Sequence, residues 1–111
     1  MVEWAPDRGD VVWLDFSPQK GKEIQKRRPA LILSPKNYNK KVGLALAVPI
    51  TSKIKGYPFE VTFSDPKMGS GAVLADQIRS LDWKERHAEK ITKFKCSLVE
   101  DVLAKARVLL D

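Results

Sequence analysis

The 111-residue chain contains a single cysteine, Cys96, and a single histidine, His87. One cysteine excludes an internal disulfide and a zinc site built from several thiolates, and it fits a reducing compartment. One histidine excludes, within one subunit, an acid–base pair made of two imidazoles. The sequence also has no cluster of histidines and carboxylates with metal-ligand spacing. We therefore expect a protein without a metal ion or another cofactor.

Long apolar runs are absent as well. No window approaches the roughly 18 consecutive apolar residues of a membrane span, and the first ten residues lack the apolar core of a secretory signal. We expect no membrane segment and a cytoplasmic protein. The chain shows no internal repeat or linker, and its length supplies one hydrophobic core. The sequence thus predicts a single domain over residues 1–111.

Negative charge is nearly absent from one third of the chain. Residues 19–55 hold ten lysines and arginines but one carboxylate, Glu23, so their net charge is +9, whereas the remaining residues carry −3. Concentrating one sign of charge costs self-repulsion, which a polyanionic partner usually relieves. Nucleic acid is therefore the leading candidate for a partner.

Short runs of β-branched and aromatic residues predict a mainly β protein. Residues 57–63 alternate between apolar and polar side chains, which is typical of a strand with one buried face. Pro49 predicts that its strand ends or bulges there. The other predicted strands are residues 11–16, 31–34, 44–50, 71–80 and a segment around Ile91, with a loop at 17–28, a turn at 39–43 and a helical turn after residue 81.

The C-terminal residues predict one amphipathic helix. Ser97 and Glu100 have the spacing of a capping box, in which each side chain satisfies a free backbone N–H of the other residue. Several short strands followed by one helix indicate a small half-open antiparallel barrel with the helix packed on it. The apolar residues that recur at helical spacing are Val99, Val102, Leu103, Ala106, Leu109 and Leu110.

Arg28 stands directly before Pro29, where the basic loop meets a predicted strand. A guanidinium stays cationic at physiological pH and offers two parallel N–H donors, which suit a phosphate group. Pro29 keeps the backbone of Arg28 extended, so the side chain starts from a restricted direction. We interpret Arg28 as a phosphate ligand; the alternative is an ordinary surface arginine at a strand start.

Five segments occur in an order and spacing that resemble the MazF/PemK family of bacterial toxin endoribonucleases. They are GDVVWLDFSPQKGKE from Gly9, RRPALILSP from Arg27, VPITSK from Val48, KGYPFEV from Lys55 and LADQIRSLD from Leu74. Together they cover most of the chain between residues 9 and 82. One departure lies after Glu23, where the family often has glutamine; here that position is Ile24 and the glutamine is Gln25.

The resemblance implies an SH3-like half-open antiparallel barrel with a C-terminal amphipathic helix, assembled as a homodimer. It further implies a sequence-specific, metal-independent endoribonuclease that cleaves single-stranded messenger RNA. Attack by a ribose 2′-hydroxyl would leave a 2′,3′-cyclic phosphate and a 5′-hydroxyl. The implied partner is a cognate antitoxin whose acidic C-terminal segment occupies the basic RNA groove.

By position, the resemblance assigns catalysis to Arg28, Thr51 and Glu23. Taken alone, Thr51 reads as a turn threonine at a strand end. Glu23 could accept a proton, orient Arg28, or relieve repulsion among neighbouring cations. Asp76 and Gln77 suit the reading of base edges, but a buried hydrogen-bond network could use them equally well. The expected RNA-binding residues are Phe16, Lys22, Gln25, Ser52, Lys55, Tyr57, Asp76, Gln77 and Arg79.

Two other functions are compatible with the same fold. A basic barrel could bind RNA without cleaving it, and the related CcdB barrels target gyrase rather than RNA. Those relatives rely on a C-terminal tail that bears tryptophan, whereas this chain ends in VLLD. That ending argues against the gyrase-targeting alternative.

Overall fold

The computed structural model describes residues 4–16 and 27–111, which form seven strands and two helices. The strands are β1 (Asp10–Asp15), β2 (Arg27–Ile32), β3 (Ala45–Thr51), β4 (Glu60–Asp65), β5 (Gly69–Leu74), β6 (Arg79–Leu81) and β7 (Glu89–Lys93). The helices are α1 (Lys36–Val42), between β2 and β3, and α2 (Cys96–Val108), after β7. Neither helix has the length and apolarity that a membrane crossing requires. The predicted fold class, mainly β with a C-terminal helix, is confirmed.

The strands form one curled antiparallel sheet in the order β4-β5-β3-β2-β1-β7, with β6 also paired to β3. Strand β3 takes part in both halves of the half-barrel, because its residues 45–47 pair with β6 whereas Ile50 and Thr51 pair with β5. Pro49 lies between these two stretches, where β3 changes partner. The strand therefore continues through Pro49 to Thr51, so of the two predicted alternatives, an end or a bulge at Pro49, the end is wrong.

The sheet carries a hydrophobic cluster on each face, because neighbouring residues of a strand point to opposite sides. On β1, Val11 belongs to the first cluster and Val12 to the second, and both are fully buried. Leu31 and Ile32 divide in the same way on β2. Helix α2 closes the first cluster with Val99, Val102 and Leu103.

Helix α2 begins differently from the sequence prediction. Its N-cap is Lys95, which makes no side-chain capping bond, and its first bond runs from the Val99 N–H to the Lys95 carbonyl. Ser97 therefore lies inside the first turn, and the predicted capping box is wrong. The predicted apolar face is confirmed as far as Ala106, but Leu109 and Leu110 follow the last helical residue and are exposed.

Helix α1 replaces the turn predicted at residues 39–43. Gly43 ends the helix in the left-handed conformation (φ 82°), and its N–H donates to the Asn39 carbonyl. The buried Asn39 amide donates to the carbonyl groups of Pro6 and Ser34, and Trp83 Nε1 donates to the Asn39 carbonyl at 2.9 Å. An asparagine that reads as a turn signal in the sequence thus fastens a short helix to the sheet.

Three other boundaries differ from the prediction. Strand β2 begins at Arg27 rather than at residue 31, because Arg27 and Arg28 already pair with β1. Strand β4 begins at Glu60 rather than at residue 57. The strand predicted at 71–80 is two strands separated by a turn that contains Asp76. The strand around Ile91 is confirmed as β7, and the residues before it form turns rather than a helix.

Candidate functional site

An open cleft lies where β2 begins and β3 ends. Its volume is about 400 Å³, and it combines cationic and hydroxyl groups with apolar side chains. Three predicted site residues, Arg28, Thr51 and Ser52, line it. The fold thus brings together residues that lie far apart in the sequence. The other lining residues are Pro29, Ile50, Lys53, Phe63, Met68 and Ser70.

Strand pairing explains why Arg28 and Thr51 line the same cleft. In the β2–β3 ladder, Leu31 pairs with Val48 and Ala30 with Pro49. Arg28 lies two residues before Ala30 on β2, and Thr51 lies two residues after Pro49 on β3. Because the strands are antiparallel, both residues stand just beyond the same end of the ladder. Both residues line the cleft at that end.

Arg28 and its neighbour Arg27 have opposite electrostatic environments. Arg27 makes ion pairs with Asp15 at 3.0 Å and Glu89 at 3.2 Å, and it donates a 2.6 Å hydrogen bond to the His87 carbonyl. Arg28 is exposed, and no carboxylate of residues 4–16 or 27–111 pairs with it. Arg28 thus retains its charge and its N–H donors for a group from outside these residues.

Asp15 organises the cluster that holds Arg27. Its carboxylate contacts His87 Nδ1 at 2.8 Å and Arg27 at 3.0 Å, and Arg86 donates to its backbone carbonyl at 3.0 Å. The hydrogen bond with His87, followed by that with Arg27, lowers the pKa of Asp15 below its ordinary value of 3.8. The cluster joins the end of β1, the start of β2 and the turn before β7, and it thereby fixes the strand ends beside the cleft.

The Thr51 hydroxyl is oriented by the backbone that follows it. Thr51 Oγ1 accepts a hydrogen bond from the Lys53 N–H at 3.1 Å, which engages a lone pair and leaves the hydroxyl hydrogen available to an acceptor. Gly71 lies against the other side of Thr51. A Cβ at Gly71 would stand 2.5 Å from the Thr51 carbonyl oxygen and 3.0 Å from the Phe63 ring. Glycine is therefore required for β5 to approach β3 this closely.

Tyr57, Asp76 and Gln77, all predicted to bind RNA, form a second group of predicted site residues. The Tyr57 hydroxyl donates a short hydrogen bond to Asp76 Oδ1. This bond is the largest cause that raises the pKa of Tyr57 above 10.0, while a hydrogen bond with Gln77 acts in the opposite direction. The group connects the segment after β3 to the turn after β5.

Phe16 and Arg79, also predicted to bind RNA, contact each other. The Arg79 guanidinium carbon lies 5.8 Å from the centroid of the Phe16 ring, within the range of a cation–π interaction. Phe16 is partly buried and packs against the second hydrophobic cluster. One face of the ring is thus already covered by a cation rather than open for base stacking.

The remaining predicted residues divide into two sets. Within the described ranges only Lys55 remained to be placed, and it is exposed, as are Ser52 and Gln77. Lys22, Glu23 and Gln25 lie outside the described residues, so their assigned roles stay predictions.

Sequence reasoning missed several residues beside the cleft. Phe63, Met68 and Ser70 form a wall contributed by the β4–β5 hairpin, and Lys53 lies next to Thr51. The alternation of β4 places Glu60 on the polar face, yet Glu60 is buried. Lys53 belongs to the basic region that the charge distribution singles out, but no local pattern identifies the hairpin wall, because it depends on how the hairpin folds over β3.

Within residues 4–16 and 27–111, no group of three or more histidine, cysteine, aspartate or glutamate side chains is arranged to hold a metal ion. The polar groups that line the cleft are the cations of Arg28 and Lys53 and the hydroxyls of Thr51, Ser52 and Ser70.

Comparison with known proteins gives consistent results. Residues 7–110 match the family model described as PemK-like, MazF-like toxin of type II toxin-antitoxin system. The chain is 44% identical over 107 residues to the endoribonuclease toxin MazF of Escherichia coli K12, with 96% of each chain covered. It is 49% identical to a chain of a MazE–MazF crystal structure (form II) from Deinococcus radiodurans, with 97% of each chain covered and a TM-score of 0.90. A MazF crystal structure (form I) from the same organism is also 49% identical, covers 97% of this chain and 98% of its own, and has a TM-score of 0.87.

Proposed function

Because the chain belongs to the PemK-like, MazF-like family of type II toxin–antitoxin toxins, we propose that it is a sequence-specific endoribonuclease that cleaves single-stranded messenger RNA. Its relative in Escherichia coli is named an endoribonuclease toxin. The observation that carries the proposal is the cleft in which the exposed Arg28 and the hydroxyl of Thr51 lie at the end of one ladder. A guanidinium that pairs with no carboxylate of residues 4–16 or 27–111 and that lies in one cleft with a hydroxyl suits a phosphodiester.

The proposed reaction is an internal transesterification. The ribose 2′-oxygen attacks the adjacent phosphorus, its proton passes to a base, and the bond from phosphorus to the 5′-oxygen breaks. The departing 5′-oxygen takes up a proton, so the products are a 2′,3′-cyclic phosphate and a 5′-hydroxyl. Arg28 stabilises the charge that develops on the phosphoryl oxygens, and the Thr51 hydroxyl donates to one of them.

Glu23 is the proposed proton acceptor for the attacking 2′-hydroxyl. The support is its position in the family pattern and its place as the lone carboxylate of residues 19–55. Replacement Glu23→Gln removes the base but keeps the shape of the side chain, so cleavage should fall steeply while RNA binding is retained. If Glu23→Gln cleaves at nearly the wild-type rate, Glu23 is an orienting residue instead.

The decisive experiment incubates the purified protein with a long single-stranded RNA in the presence of EDTA and maps the cut ends. We expect discrete cuts with cyclic phosphate ends, unaffected by the chelator. Arg28→Ala should lower the rate by roughly 10²- to 10³-fold, because it removes a contact to the developing charge. Lys40→Ala, which removes a cation on α1 away from the cleft, is the matched control.

The other two functions give different results in the same experiment. RNA that is bound but remains intact would indicate a non-catalytic RNA-binding barrel. Inhibition of gyrase without RNA cuts would indicate a gyrase-targeting barrel. Loss of cutting on addition of EDTA, with restoration by a divalent cation, would overturn metal independence.

An antitoxin is the proposed protein partner. A MazE–MazF complex is among the similar solved structures. We propose that a cognate antitoxin places an acidic C-terminal segment over the basic cleft, because such a segment can pair with Arg28 and Lys53 as a phosphate backbone would. Inhibition should then be competitive with RNA and weaken as salt is raised.

A homodimer is the proposed assembly. An apolar groove of about 440 Å³ lies between α1, β3 and the end of α2, and it exposes Tyr38, Leu46 and Leu110, the last at 85%. Apolar surface of this kind marks an interface more often than free surface, and a second copy is the occupant that the family resemblance implies. Leu46→Asp should shift the mass measured by light scattering from two chains to one.

A further inference from the structure

The segment that follows Thr51, residues 52–59, has no regular secondary structure, yet the fold holds it at several points. We call these residues the binding segment, because they include Ser52, Lys53, Lys55 and Tyr57. The Tyr57 hydroxyl is bound by Asp76, and the Pro58 carbonyl accepts a 2.7 Å hydrogen bond from Lys105 on α2. The anchor nearest its middle is the carboxylate of Glu60.

Glu60 receives three hydrogen bonds from the binding segment. The Lys55 N–H lies 3.1 Å from both carboxylate oxygens, and the Gly56 N–H donates to Oε1 at 2.7 Å. Gly56 has a positive φ of 82°, which turns the chain so that consecutive N–H groups converge on one anion. Backbone turns of this kind bind phosphates in other proteins; here the chain's own carboxylate occupies the position.

Burying the Glu60 carboxylate costs free energy unless hydrogen bonds satisfy its oxygens. Glu60 is 9% exposed, and a buried carboxylate is tolerated when hydrogen bonds replace its lost water. The backbone N–H of Glu60 also donates to the Tyr57 carbonyl at 3.0 Å, so Glu60 is bonded to the binding segment through both its backbone and its side chain. An apolar residue would fill the same space more cheaply, so the carboxylate indicates that the shape of the segment matters.

We infer that Glu60 is a positioning residue for RNA recognition: it holds the binding segment so that the side chains of Lys53 and Lys55 meet the RNA beside Thr51. The inference rests on the proposed endoribonuclease function. Because the backbone turn is filled by Glu60, RNA phosphates meet the lysine side chains and not the N–H groups of Lys55 and Gly56. Because the binding segment is already ordered, the free energy of RNA binding is not reduced by the entropic cost of ordering that segment.

Glu60→Gln tests the inference, since it preserves size while one amide N–H₂ replaces an acceptor. We expect amide hydrogen exchange at Lys55 and Gly56 to quicken by about tenfold or more, because charge-assisted hydrogen bonds are lost. The amide of Val48 in the core should keep its protection. For a cleavable oligonucleotide, KM should rise about tenfold while kcat changes by less than about threefold. The ratio of kcat/KM for this oligonucleotide to that for one with a single altered flanking base should also fall.

Glu100→Gln is the matched control, because Glu100 is an exposed carboxylate on α2. Gly56→Ala provides an independent route if Glu60→Gln fails to fold. A side chain at Gly56 meets open space, so it acts on the binding segment through backbone strain at positive φ and not through the core. It should raise KM in the same way.

The outcomes separate the inference from the proposed function. Faster exchange at Lys55 and Gly56 with unchanged KM and discrimination would make Glu60 a purely structural residue and overturn the inference. Unchanged exchange would show that the carboxylate does not hold the binding segment, and it would likewise overturn the inference. If the wild-type protein binds RNA without cutting it, the proposed function fails, and the inference is read from the dissociation constant instead. If it neither binds nor cuts RNA, both are wrong.

Discussion

Arg27 and Arg28 are adjacent and chemically identical, but the fold places them in different surroundings. Arg27 is 34% exposed and bonded to Asp15, Glu89 and the His87 carbonyl, whereas Arg28 lines the cleft. The difference follows from strand pairing, because the β1–β2 ladder places Arg27 opposite Asp15 and Arg28 opposite the apolar Leu14.

The two arginines should therefore separate stability from activity. Arg27→Ala should lower the free energy of unfolding by about 1 kcal/mol, since partly exposed ion pairs contribute little more than that. Arg28→Ala should leave unfolding in urea within error of the wild type while abolishing most cleavage. If both variants lose stability equally, Arg28 has a structural partner and the proposed mechanism is wrong.

Tyr57 provides a second prediction at the residue scale. Its pKa is raised chiefly by the hydrogen bond to Asp76, so the neutral phenol contributes stability that is present below pH 10.0 and is lost as the pH rises through the higher folded value. The chain has two tyrosines, so ultraviolet titration of a Tyr38→Phe variant reports on Tyr57 alone. Adding Asp76→Asn should move the transition toward pH 10. A transition that does not move would contradict the bond.

Among the elements, β3 positions the candidate site. It leaves one half of the sheet for the other at Pro49 and ends at Thr51, which pairs with Ala72 of β5. The glycine next to Ala72 lets the two strands approach until a Cβ would overlap the Thr51 carbonyl. The position of the threonine is thus determined by a residue that has no side chain.

Gly71→Ala should consequently displace Thr51. A Cβ 2.5 Å from a backbone oxygen forces β3 and β5 apart, and a shift near 1 Å at a catalytic group costs roughly 10²-fold in rate. Cleavage assays together with circular dichroism would distinguish this local displacement from global unfolding. Thr62→Ala, on the exposed side of β4, is the control. Wild-type activity in Gly71→Ala would show that the site tolerates the shift.

At the scale of the whole molecule, charge distribution rather than net charge is informative. The chain carries +6 in total, but residues 19–55 carry +9. In the described part of that region, Arg28 and Lys53 line the cleft, whereas Lys40 and Lys41 lie on α1. If the proposed function is correct, the cations of the cleft attract RNA over long range, and counterions are released when it binds.

RNA affinity should therefore fall linearly on a plot of log K against log salt concentration. Each phosphate contact on a single strand contributes a slope of about 0.7. Lys53→Ala should reduce the slope by about that amount, whereas Lys40→Ala should leave it unchanged. Fluorescence anisotropy with a catalytically inactive Arg28→Ala background, whose own slope serves as reference, measures both. Equal effects of the two lysines would indicate non-specific attraction instead of a defined contact.

Local patterns in the sequence determined much of the secondary structure. Alternation and helical spacing identified most strands and the apolar face of α2, because these patterns repeat within a few residues. The dipeptide Arg28-Pro29 and the family pattern identified Arg28, Thr51 and Ser52, which the structure brings to one cleft. The sequence also located the concentration of positive charge.

Which of these side chains are hydrogen-bonded or ion-paired within the fold, and which are exposed, follows from the tertiary structure alone. Among the carboxylates that the structure describes, Arg27 has partners and Arg28 has none. Glu60 is buried beneath the binding segment, and Asn39 fastens a helix where the sequence indicates a turn. Each outcome depends on partners distant along the chain, such as Asp15 for Arg27 and Pro6 for Asn39. Hydrogen bonds and burial depend on residues that are close in space but distant in sequence, so a local sequence pattern does not predict them.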